Sequence, residues 1–341
     1  MTATVARQVL ERTRGHIVTS LFLDLDPGRF ATAPARASQI RSLLDEAGRA
    51  AQTLSVDHAA AQALRRDLSR LEEELAPDDL PAAGQGLAVY RSGGDDPSLV
   101  IPLSAPVAPA VFVEPVAHVE PVVIDPVAGR WCAVLVSVDD AHILEGAAGR
   151  VIRRSRSEDY VRGRSQTGDT RTHSREQDIA GHLKQVASEL RRRHQAGEFE
   201  SLMLAGGVEA LTGLESALPD ELSKIYLGRL SVDPSAGSDS DVAAAVAQLA
   251  AKRRTEADAA ALAELRDRIG GERVAVGVEA VQEALVERRV ETLLMRRDYD
   301  DPDNRREAMV QAALSQDADV RVYDEPDELP PPRPVAALLR F

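Results

Sequence analysis

Residues Arg130 to Val138 read Arg-Trp-Cys-Ala-Val-Leu-Val-Ser-Val, a near-continuous apolar run of the kind that forms a strand buried on both faces. Two shorter strand patterns follow, His142 to Glu145 and Arg150 to Arg153, with Gly146 and Gly149 between them marking a hairpin turn. After a basic loop, the spacing predicts a helix from about Thr172 to His194. Its apolar residues Ile179, Leu183, Val186 and Leu190 recur at intervals of four, three and four and so share one face. Ser201 to Leu204 reads as a short buried strand, Gly206-Gly207 as a turn, and Lys224 to Leu230 as another strand. A three-strand meander followed by strands alternating with helices indicates a mixed α/β sheet.

At 341 residues the chain exceeds one ordinary hydrophobic core, so two or three domains are expected. The first block, residues 1–128, has a strand at His16 to Leu25, helical stretches near Ser38 to Ala51 and His58 to Leu75, and a strand at Gly86 to Tyr90. The five prolines from Pro102 to Pro121 then forbid helix and favour edge strands or extended chain. The middle block, 129–268, ends in a long helix from about Asp239 to Arg268. The last block, 269–341, alternates strand (Arg273 to Gly277), helix (Val278 to Arg288), strand (Val290 to Met295), helix (Asn304 to Ser315) and two strands, Val320 to Tyr323 and Val335 to Phe341. That order predicts a compact α/β/α sandwich.

Composition narrows the function classes. Hydrophobic content of 44% and charged content of 28% are those of a globular protein. No run of about 18 apolar residues spans a membrane, and the first residues lead into no apolar signal core, so a cytoplasmic location is expected. Cys132 is the single cysteine, which excludes an internal disulfide and a cysteine zinc site; within its apolar strand it reads as a small buried hydrophobe. Aromatics at 3% are too few for a base-stacking platform. His173 and His182 lack a partner at metal spacing, Asp139-Asp140 reads as a turn, and Gly206-Gly207 lacks the phosphate-loop lysine, so neither metal nor cofactor is expected.

Charge is unevenly spread. The whole chain carries −14, yet between Arg150 and His194 eleven arginines and Lys184 stand against six acids. Segregation of this kind reads either as a footprint for a polyanion or as a solvated charged face. Inside it lies Tyr160-Val-Arg-Gly-Arg-Ser-Gln-Thr-Gly168, a glycine-containing basic loop with one central glutamine.

The order of elements and several strings resemble the archaeo-eukaryotic class-one peptide release factors, together with Pelota and the bacterial members related to them. Val276-Gly-Val278, Ala284-Leu285, Val290-Glu-Thr-Leu-Leu294 and Ala337-Leu-Leu-Arg-Phe341 are similar to the family's C-terminal domain, a kink-turn-binding ribosomal-protein fold. The strand from Trp131, the glycine-linked hairpin, the loop with Gln166 and the following helix resemble its central domain, an RNase-H-like mixed sheet. His182 lies where the family often has an aromatic. Gly86 to Tyr90 and Pro109 to Pro115 resemble the N-terminal α/β domain. Where termination factors carry their stop-codon strings, this chain reads Gln52-Thr-Leu-Ser55 and Phe112-Val-Glu-Pro-Val-Ala-His118, so stop-codon reading is not implied. The family's Gly-Gly-Gln is replaced by Arg164-Ser165-Gln166 after Gly163, similar to the relaxed Gly-x-x-Gln of peptidyl-tRNA hydrolases in ribosome quality control.

What the resemblance implies is hydrolysis of the peptidyl-tRNA ester on the ribosome. Gln166 would offer its backbone N–H to the oxyanion while its side chain orders water. Gly163 and Ser165 would shape the loop, and Arg164 would clamp a phosphate. Arg153, Arg154, Arg156, Arg162, Arg171, Arg175 and Lys184 would hold rRNA or tRNA phosphates. Two other readings stand beside it: a factor that occupies the ribosomal A site without chemistry, as hibernation-type relatives do, and an RNA- or protein-binding module with no ribosomal role. The acidic stretches Asp298 to Asp303 and Asp324 to Glu328 lie in the domain that meets a translational GTPase in relatives, which adds that protein partner; no membrane partner is implied.

Overall fold

The computed structural model describes residues 2–26, 28–75, 84–93, 97–125, 127–156, 171–233, 237–299, 305–323, 329 and 333–341. Among these residues the protein is mixed α/β with three sheets. It divides into two compact units, Gly129–Lys252 and, from both sides of it in sequence, Thr2–Ala128 with Arg253–Phe341.

The chain opens with α1 (Thr2–Arg12), β1 (Val18–Asp24), α2 (Ala33–Thr53) and α3 (His58–Glu74). Thr32 and Asp57 cap α2 and α3 by accepting the N–H of Ala35 and Ala60. Next come β2 (Gly86–Ser92), β3 (Leu99–Leu103), β4 (Ala110–Glu114) and the short α4 (Glu120–Ile124). The sheet is antiparallel in the order β3-β2-β1-β4. β3, which carries Pro102, and β4, flanked by Pro109 and Pro115, are thus the two edges, where a missing N–H costs no ladder bond. The prolines do not exclude helix throughout this region: α4 forms with Pro121 in its first turn, where the backbone N–H has no helical partner to lose. Strand alternation divides the core: Leu21 and Leu23 of β1 join Ile40, Leu43, Leu64 and Leu71 of α2 and α3, whereas Val18 and Phe22 face the opposite side.

The Gly129–Lys252 unit contains β5 (Arg130–Val136), β6 (Ala141–Ala147), β7 (Arg150–Arg156), α5 (Arg171–Gln195), β8 (Ser201–Gly206), α6 (Val208–Ala217), α7 (Asp220–Ile225) and β9 (Tyr226–Arg229). Its sheet runs β7-β6-β5-β8-β9, antiparallel through β5 and parallel from β5 to β9. β5 is central. Cys132, Val134 and Val136 pack beneath Leu183, Val186 and Leu190 of α5, and Trp131, Ala133 and Leu135 on the other face are equally buried. The hairpin turn is Ala148-Gly149, both with positive φ (41° and 84°). Gly146 lies inside β6 instead, because a Cβ there would fall 2.2 Å from the Trp131 ring. Lys224 and Ile225 close α7 rather than open β9.

The long α8 (Asp239–Arg268) leads into β10 (Val274–Val276), α9 (Val278–Val286), β11 (Val290–Arg296), α10 (Arg305–Ser315), β12 (Asp319–Tyr323) and β13 (Val335–Leu339). The third sheet is ordered β10-β13-β11-β12, with β11 and β12 parallel. Leu293, Met295, Val335 and Ala337 pack with α9 and α10, while Leu294, Ala336 and Leu338 meet Ala261, Leu262 and Leu265 of α8. The sheet is therefore sandwiched, which is why β13 is apolar at every position.

The first and third sheets share a core. Ala6 and Val9 of α1 and Val122 of α4 belong to one buried cluster with Met309, Val310 and Ala313 of α10. Glu307 of α10 seals it: its carboxyl oxygens accept the N–H groups of Val119 (2.8 Å) and Glu120 (3.2 Å) at the start of α4. Arg306 pairs with Glu120 and donates to the carbonyls of Arg296 and Arg297, both at 2.9 Å. His118, stacked on Phe112 at 3.9 Å, brings its Nε2 to 3.5 Å from Glu307.

Candidate nucleic-acid interface

β7 is the outer strand of the five-stranded sheet, and α5 lies over that sheet. Together they frame the stretch carrying Arg162, Gly163, Arg164, Ser165 and Gln166, which lies outside the described residues. Arg171 and Arg175 stand in the first turns of α5, and Lys184 is exposed farther along it.

Arg153, Arg154 and Arg156 are brought together on the exposed strand β7, but each meets a carboxylate. Arg153 reaches Glu145 (3.5 Å) and Glu198 (3.6 Å), Arg154 reaches Asp239 (3.2 Å), and Arg156 donates to Asp140 (2.8 Å). Partial burial works against the Asp140 carboxylate, yet the Arg156 hydrogen bond and the nearby His142 and Arg156 charges hold its pKa below the ordinary value. Asp140 also closes the turn after β5, where Ser137 Oγ accepts its N–H at 3.0 Å, so the Asp139-Asp140 pair is a turn. At the end of α5, Arg191 pairs with Glu221, Arg192 with Glu189, and Arg193 with both Glu189 and Glu145.

These pairs fall into two kinds. The side chains of Arg153, Arg154 and Arg156 are 56%, 41% and 65% exposed, whereas Arg193 is 7% exposed and also donates to Ser155. Exposed pairs contribute about 0–1 kcal/mol, so a phosphate can exchange for the carboxylate. A buried pair holds the fold together and is not exchanged so readily. Among the described residues, Arg153, Arg154, Arg156, Arg191, Arg192 and Arg193 of the local charge excess are thus engaged within the unit. Sequence reasoning did not find Glu145: an acid on a half-buried strand signals a missing partner, but its partner is 48 positions away.

Among the described residues no cluster of His, Cys, Asp and Glu fits a metal ion, and no helix is long and apolar enough to cross a membrane. Burial pushes the Cys132 thiol well up, as expected of a packed core residue without nucleophilic character. His182 is buried on α5, and its ring nitrogens have no partner among the described residues.

Residues 134–289, from β5 through the Gln166 stretch to the end of α9, match the sequence model of the bacterial archaeo-eukaryotic release factor family 3, which upholds the resemblance read from the sequence. No curated protein matches the chain. Among solved structures, the archaeal translation termination factor aRF1 is 18% identical, covering 100% of this chain and 97% of that one with a TM-score of 0.27. Pelota of Archaeoglobus fulgidus is 18% identical over 75% of this chain and 79% of its own, with a TM-score of 0.31. Dom34 of S. cerevisiae, a translation termination-like factor, is 10% identical over 79% of this chain and 78% of its own, with a TM-score of 0.43.

Proposed function

We propose that this release-factor-like chain acts on the ribosome, in the cytoplasm, as a rescue or quality-control factor that hydrolyses peptidyl-tRNA without reading a stop codon. The observation that carries this reading is the family match, which runs through the Gln166 stretch and both elements that frame it. In the reaction, water attacks the ester carbonyl joining peptide to tRNA, and the tRNA ribose hydroxyl leaves. The Gln166 backbone N–H stabilises the oxyanion, and its side chain positions the water. No ionisable side chain has to change its protonation state for either role. Gly163 and Ser165 give the backbone its approach, and Arg162, Arg164, Arg171, Arg175 and Lys184 meet phosphates. The exposed Arg153, Arg154 and Arg156 join them by giving up their carboxylates. The segments 1–128, 129–268 and 269–341 would serve as the family's N-terminal, central and C-terminal modules, with a translational GTPase meeting the acidic last module.

The test is release of labelled nascent peptide from stalled large subunits carrying peptidyl-tRNA, with binding scored by sedimentation in the same samples. Release by the intact protein and its loss in Gln166→Ala, with binding retained, is the expected result. A second reading is favoured by Arg164-Ser165, which add bulk where the family has two glycines: the protein occupies the A site without chemistry. Binding without release from either protein would select it, and absence of binding would remove both.

A further inference from the structure

At one end of the first sheet, where β1 begins and β2 ends, a cleft of about 180 Å³ opens against α3. Its walls are small or apolar, among them Ile17, Ala60, Ala63 and Gly93. An added Cβ on Gly93 would stand 3.7 Å from Asp67 Oδ2, 3.7 Å from the Ala63 methyl and 3.9 Å from His16 Nδ1, so these atoms ring one small space. The Asp67 side chain is only 5% exposed. Its Oδ1 accepts from Arg91 Nε at 3.2 Å, and Arg91, itself buried, also donates to Glu74 at 3.2 Å. Among the described residues, no other donor reaches the Asp67 carboxylate. Two carboxylates therefore share one guanidinium, which leaves a negative excess at the floor of an apolar cleft, with Oδ2 turned into it.

We propose that this cleft binds an organic cation, an ammonium or guanidinium head on a short apolar stem. Oδ2 takes a charge-assisted hydrogen bond from the head, which enters past His16 at the rim, and the stem lies along Ala60, Ala63 and Ile17. An anion would meet the unshared carboxylate, and a neutral apolar molecule would leave it unpaired, so charge and shape select the same class. The head can arrive on a free small molecule or on an arginine or lysine side chain of a protein.

The experiment is a titration of the full chain with butylguanidinium, followed by amide proton–nitrogen correlation spectra. Saturating shifts are expected at Gly15, His16 and Gly93, with a Kd on the order of 1 mM for a ligand this small. Asp67→Asn should weaken binding about tenfold or more. Ala63→Leu, which fills the cleft without removing an ion-pair partner, should abolish it, and this second variant decides the matter if the first fails to fold. N-acetylarginine amide separates the sources: equal binding points to a side chain of a protein, and its exclusion points to a free small cation. No shifts with butylguanidinium, equal shifts with neutral pentanamide, or shifts that persist in Ala63→Leu would overturn the proposal.

Discussion

Burial pushes the Glu307 pKa up to about 8, although the N–H groups of Val119 and Glu120 oppose that shift, and burial pushes His118 down to about 4. At neutral pH the pair thus holds its one proton on the carboxyl group. Because the folded pKa of Glu307 is raised, its contribution is full below 4.5 and is lost as pH rises through about 8. That of His118, whose folded pKa is depressed, is present above 6.5 and lost as pH falls through about 4. The two slopes cancel between 4.5 and 6.5, leaving a decline from 6.5 to 8 that approaches about 1.4 kcal/mol per pH unit. Urea midpoints across pH should show it; Glu307→Gln should flatten it, and His118→Phe should extend it down to the ordinary glutamate range. A decline unchanged by Glu307→Gln would refute this assignment. A second residue-scale prediction concerns Gly146. Gly146→Ala puts a methyl group into the Trp131 ring and should cost about 1–3 kcal/mol or more. Trp131 is the only tryptophan, so a red shift in its emission reports the repacking directly.

On the scale of elements, β7 and α5 separate exposed charge, proposed to bind RNA, from buried charge that holds the fold. Arg153→Ala and Arg156→Ala should each change stability by less than about 1 kcal/mol. Each should also reduce the slope of log affinity for large subunits against log salt by about one. Sedimentation at several salt concentrations measures this, and slopes equal to those of the intact protein would remove β7 from the RNA interface. Arg193→Ala should behave oppositely, costing about 2–4 kcal/mol in urea unfolding because Glu145 keeps its burial and loses its closest cation. The lower end of that range is the firmer expectation, since Arg153 still reaches Glu145 at 3.5 Å.

For the whole molecule, the shared core predicts that the first and last segments fold together. Fragment 1–128 exposes the face of α1 and α4 that α10 covers, including Val122 and Val9, and loses the Glu307 cap. Expressed alone it should bind a hydrophobic dye and unfold without a sharp transition; co-expressed with 253–341 it should recover cooperative unfolding. A sharp transition in the isolated fragment at the midpoint of the intact protein would show that this core is dispensable. With a net charge of −14, the proposed ribosome binding would rest on a minority of the surface and should weaken steeply with salt.

Local periodicity was enough for most elements. The unbroken apolar run of β5, the four-three-four spacing of α5 and the strand-helix order of the last segment each record a face that must be buried. The Gln166 stretch was likewise visible as a glycine-containing string between a strand and a helix. Periodicity does not record which partner buries a face, so the joining of α1, α4 and α10 into one core was decided only in three dimensions. Counting arginines showed where positive charge gathers, but not that Asp140, Glu145, Glu198 and Asp239 return to meet it. Glu307 looked like one more helical acid, and it reaches its backbone donor across 188 positions. Carboxylates act through distance and burial, and both are properties of the packed chain rather than of neighbours along it.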